Sequence, residues 1–162
     1  MNPLLGSGIY VMAAITTLIS ASLYGWLIWA LSDRRDRQWL LMAAVCTLPL
    51  QPLAFYLVRS PLNSWLVTVL DAKPGLYQFI ALWYAPLTEE PAKLLPLLIP
   101  ALRRRVNPHT YIPFGLSLGL GFGIGEIWFL ANHIARASAL AALPFYQFTG
   151  FAQERFIVCF LH

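Results

Sequence analysis

Two stretches of this 162-residue chain, residues 8–31 and 39–58, contain no charged side chain at all. A third, residues 76–102, is uncharged except for Glu89, Glu90 and Lys93, and a fourth, residues 111–132, except for Glu126. Each reaches the roughly 20 residues that a helix needs to cross about 30 Å of hydrocarbon. A fifth run begins near Thr149 and stops at His162. At about a dozen residues it is too short to span, which predicts a chain truncated at its C-terminus. The chain is 59% hydrophobic and 11% charged, whereas a water-soluble domain carries about a quarter charged residues. Backbone groups in lipid must be satisfied within the segment, which favours helices. The expectation is an all-α, polytopic membrane bundle forming a single integral domain over residues 1–162. Its spans fall at about 8–31, 39–58, 76–102 and 111–132, with 149–162 partial.

The first run lacks a basic leader and exceeds the length of a secretory apolar core, so it reads as a retained helix. Arg34, Arg35 and Arg37 lie in loop 32–38, and Arg103, Arg104 and Arg105 in loop 103–110. Two spans separate these loops, so they share a side. The opposite loops hold Arg59, Lys73 and Arg136. The positive-inside rule puts the arginine loops in the cytoplasm of a prokaryote-type membrane and the N-terminus outside. The net charge of +4 comes largely from these clusters, and no basic soluble platform suggests nucleic acid as a partner. Cys46 and Cys159 sit in apolar runs and read as small hydrophobes. Segments 60–75 and 133–148 read as loops with short interfacial pieces, the first anchored by Trp65. No linker and no repeat is evident.

The polar residues inside the runs are costly. A carboxylate near the bilayer centre costs roughly 2.5–3.5 kcal/mol on insertion scales, and such residues usually face a protein interior or wet cavity. In Pro86-Leu-Thr-Glu-Glu-Pro-Ala-Lys93, Glu89 and Lys93 stand four apart, the spacing of a helical ion pair. Glu90 points about 100° away from Glu89. Pro91 removes a backbone donor, so the segment reads as a polar interruption. Thr88 offers an N-cap for a half-helix whose positive end favours the carboxylates. A plain proline kink is the simpler alternative.

In the fourth run Gly115, Gly119 and Gly123 repeat every four residues, as do Gly121 and Gly125. This small-residue spacing admits a neighbouring helix at close range. Glu126 comes directly after. His133 reads as interfacial and His109 as an incidental loop residue. In the fifth run Arg155 and His162 are two helical turns apart and share a face. Counting along each span puts Glu90 about 20 Å, Glu126 about 9 Å and His162 about 15 Å below the outer face. A tilt or a break at Pro86 brings the three to one level.

Glu89-Glu90-x-x-Lys93, then Gly121-Phe122-Gly123-x-x-Glu126, then Arg155 with His162 seven later resembles the PrsW-type intramembrane proteases. Those belong to a wider group with the CAAX-prenyl endopeptidases and bacteriocin-processing membrane enzymes, and Aph-1 is a distant relation. The resemblance covers roughly residues 76–162. It implies a polar site of Glu89, Glu90, Glu126 and His162, supported by Lys93 and Arg155. It also implies a membrane-protein or lipidated-peptide substrate met in the bilayer. Ile127 departs from the asparagine common after the second-motif glutamate, and nothing beyond His162 can be compared.

The chemistry is coherent by itself. Peptide hydrolysis needs water, a base and a stabilised oxyanion. Glu90 or Glu89 is expected as the base, with Glu126 and His162 positioning water or stabilising charge. No cofactor is required by this reading, though carboxylates with histidine also suit a divalent metal such as zinc. Lys93, with two glutamates beside it, is expected to be a charged support and not a nucleophile. A non-catalytic scaffold with the same polar core and a small transporter are the competing classes.

Overall fold

The computed structural model describes residues 7–70 and 74–162, whose regular elements are all helical, without a strand. Helix α1 spans Ser7–Ala30. A helical path then runs through α2 (Arg37–Thr47), α3 (Leu50–Ala54), a π-helical turn (Phe55–Arg59) and α4 (Ser60–Leu70). Helix α5 spans Pro74–Leu94, followed by a 3₁₀ turn (Leu95–Leu98) and α6 (Pro100–Arg103). Helix α7 spans Tyr111–Arg136. Short α8 (Ser138–Ala141) and a 3₁₀ turn (Phe145–Phe148) lead to α9 (Thr149–Leu161).

Among the described residues three helices are long and apolar enough to cross a membrane: Gly8–Ala30, the path Arg37–Val69, and Tyr111–Arg136. With large side chains such as Trp26, Leu57 and Leu98 exposed, the outer surface suits hydrocarbon, not water. This is an integral membrane architecture.

Three local expectations are corrected. Residues 60–70 do not form a loop. They continue the second helical path as α4, because the apolar run through Leu66 extends the helix past Arg59; Lys73 lies outside the described residues. Residues 76–102 do not form one helix. Helix α5 continues through Pro86 and Pro91, each of which forfeits only its own donor. The interruption lies instead at Leu95–Ile99, where Ile99 is extended ahead of Pro100, as the residue before proline prefers. Thr88 is therefore helical and not an N-cap.

Helix α7 is the centre of the bundle, packing along α1 and α2 and touching α3, α5 and α9. Its two glycine series serve different neighbours. Side chains at Gly121 and Gly125 would collide with the backbone of Ala44 and Leu48 at the end of α2. Side chains at Gly119 and Gly123 would collide with His162 and Cys159. Gly115 faces open space. Ile127 is fully buried with Ile9 and Ala13 of α1, which accounts for an apolar residue there. Phe122 is fully enclosed against Ala54 and Ala92.

Candidate active site

The glycine faces of α7 position the polar residues. Because α9 lies tight against Gly119 and Gly123, Arg155 and His162 both come down on Glu126. Arg155 Nη1 lies 3.0 Å from Glu126 Oε1, and His162 Nε2 lies 3.0 Å from Oε2. Both carboxylate oxygens are thus engaged by α9. Arg155 and Glu126 side chains are only 8% and 14% exposed, so each compensates a charge that the other would leave stranded. Arg155 also bonds Glu154 through Nη2, while its Nε is buried with no hydrogen-bond partner among the described residues.

The two glutamates of α5 part company. Glu89 turns inward and accepts a 2.9 Å bond from Arg59 Nη1. Its helix touches α7, which carries Glu126. Glu90 turns outward, with a side chain 65% exposed, and holds Lys93 Nζ at 2.5 Å. The expected Glu89–Lys93 pair is thus replaced by Glu90–Lys93, three residues apart, because Arg59 takes Glu89. Lys93 is itself buried, and its ammonium lies 5.3 Å from the centroid of the Phe122 ring. The His162 ring meets Phe122 edge-on, with the centroids 5.2 Å apart.

Arg59, expected in an outer loop, lies in the helical path, at the end of the π turn Phe55–Arg59. A π turn inserts a residue and rotates the helix downstream of it, and such turns are frequent at functional sites. The sequence signal is only an arginine within reach of an apolar run; its partner is 30 residues away. A cavity of about 210 Å³ opens beside it, lined by Phe55, Ser60 and Asn63. His133 belongs elsewhere: its Nδ1 lies 3.1 Å from Phe129 O, and its ring packs with Phe129, Phe55 and Tyr56. His109 sits in an exposed turn on Asn107.

A bundle of apolar helices that closes buried carboxylates against arginine and histidine defines a class: membrane proteins with a polar centre inside the bilayer. Residues 35–151 match the family described as PrsW family intramembrane metalloprotease, and this chain belongs to that family. The matched stretch contains Glu89, Glu90, Lys93 and Glu126, and ends before Arg155 and His162. No curated protein and no solved structure matches the chain.

The family description includes a metal, and the donors as arranged do not fit one. Among the described residues no three or more His, Cys, Asp or Glu side chains gather to hold an ion. Glu126 spends both oxygens on Arg155 and His162, and Glu89 is held by Arg59. A metal would have to displace cations from both carboxylates.

Proposed function

We propose that the chain is an intramembrane endopeptidase in which Glu89 is the general base and Glu126 with His162 orients the reacting groups. The substrate is a membrane protein or lipidated peptide that enters from the bilayer. The observation that carries this reading is the inward Glu89 on α5, the helix that touches α7 and its Glu126–His162 pair, with Glu90 turned away. Water reaches Glu89 from the cavity beside Arg59; Glu89 takes its proton as the water attacks the scissile carbonyl, and returns it to the leaving amine as the C–N bond breaks. Glu126, accepting at His162 Nε2, fixes the ring and leaves Nδ1 to meet the substrate. Arg155 balances Glu126, and Lys93 supports Glu90.

In this reading α5 is a fourth crossing, α9 begins a fifth, and residues 1–162 act as one membrane domain. The arginine-rich end faces the cytoplasm of a prokaryotic membrane, and the N-terminus lies outside.

The test is cleavage of candidate membrane substrates in proteoliposomes, with and without a chelator. Glu89→Gln should lower the rate by about 10²–10⁴ at unchanged membrane abundance, with His162→Ala also impaired. Chelator should leave the rate unchanged. A Glu89→Gln protein that cleaves at the parental rate defeats the assignment, and loss of activity on chelation defeats the metal-free arrangement. A scaffold role is the second reading, favoured by the way the arginines and His162 already satisfy Glu126 and hold Glu89. It predicts that the same variants lose a protein partner where no proteolysis occurs.

A further inference from the structure

At the arginine-rich end of the bundle, α1, α2 and α7 enclose an apolar cavity of about 340 Å³, within the size range of small-ligand sites. Gly25, Ile28, Leu41, Ala44 and Leu120 form its walls, and Trp29 and Arg37 form its mouth. It lies apart from the carboxylate site: none of Glu89, Glu126, Arg155 or His162 lines it. Gly25, roughly 7.5 Å deeper than the end of α1, leaves this wall open, since a β-carbon there would meet nothing within 4 Å.

The mouth is polar and positive. The Arg37 guanidinium lies over Trp29, 3.7 Å from the ring centroid, which holds it at the mouth. Its hydrogen bonding is thin: Nη2 reaches Trp29 O at 3.4 Å, and Nε has no partner among the described residues. Among the described residues no carboxylate pairs with it, although Asp33 and Asp36 share its loop. Arg37 is also the first residue of α2, whose N-cap Asp36 supplies no side-chain cap. The positive end of the helix therefore coincides with the guanidinium. Arg105 stacks on Trp39 at 4.9 Å, bringing the second arginine loop to the same end.

We infer that this cavity is a binding site for an anionic phospholipid, with one acyl chain in the slot and the phosphate at Arg37 and the start of α2. An apolar slot alone would accept any lipid. The fixed arginine and the helix start select a head group without a compensating amine.

Native mass spectrometry of the full chain in detergent, titrated with phosphatidylglycerol or phosphatidylcholine, tests this. The chain should retain one phosphatidylglycerol in preference to phosphatidylcholine. Arg37→Gln should reduce phosphatidylglycerol retention about fivefold. Gly25→Leu, whose β-carbon meets nothing within 4 Å and whose side chain occupies the slot, should abolish retention of both lipids. Arg34→Gln, in the exposed part of the loop, should leave retention near the parental level. Equal retention of the two lipids, parental retention by Gly25→Leu, or equal losses in Arg34→Gln and Arg37→Gln would each overturn the site. Circular dichroism and gel filtration establish that each variant is folded.

Discussion

Adjacent glutamates on one helix have opposite fates here. Glu89 points to Arg59 and the buried group, and Glu90 points out with Lys93. Glu90→Gln should therefore keep most of the cleavage that Glu89→Gln abolishes, a split read in the same proteoliposome assay. Equal losses would mean that the outward carboxylate also reaches substrate. Arg155 supplies a second test. Removing one partner of a buried ion pair costs about 3–5 kcal/mol, whereas replacing both can be nearly neutral. Arg155→Met should lower thermal stability in detergent sharply, and Arg155→Met with Glu126→Gln should recover most of the loss without recovering cleavage. If the double variant melts as low as the single one, the pair is not what holds α9. Local spacing put Lys93 within reach of both glutamates. It did not reveal Arg59, because a contact across 30 residues depends on how two helices meet.

Helix α7 presents different glycine faces to α2 and α9. Adding bulk to such contacts typically costs about 1–3 kcal/mol. Gly121→Val should lower the melting temperature by separating α7 from α2. Gly123→Val should separate α7 from α9 and lower activity more than stability, since Arg155 and His162 ride on α9. Gly115→Ala, facing open space, should stay within about 0.5 kcal/mol of the parent. A Gly115→Ala protein as damaged as Gly121→Val would show that the glycines serve helix flexibility and not close approach. The four-residue spacing of these glycines was legible in the sequence, and so was their consequence for packing. Which neighbour each series accepts was not, because that depends on the rotation of α7 within the bundle.

Across the whole molecule, the stacking of Arg105 on Trp39 brings the two arginine loops to one end. Reporter fusions after Arg37 and Arg105 should therefore give the same sidedness, cytoplasmic if the positive-inside rule governs. Opposite signals would overturn the path of the chain between them. The apolar runs were legible because lipid is an unforgiving solvent: 8–31 and 111–132 agree closely with α1 and α7. The breaks were harder to read. Pro86 and Pro91 drew attention, but the chain interrupts at Leu95–Ile99, where the succession of Pro96 and Pro100 and an extended Ile99 end the helix together. The site was legible as a set of costly residues, and its pairing was not.

The clamp on Glu126 also has a history in time. A chain synthesised from its N-terminus delivers α7 to the membrane before α9. Glu126 therefore arrives ahead of Arg155 and His162, the two groups that will hold its oxygens. Until α9 emerges, the nascent protein carries a carboxylate awaiting its counter-ions and a histidine not yet made. Assembly order thus dates the clamp: the buried Glu126 contacts can close only after α9 has been made and has docked on α7.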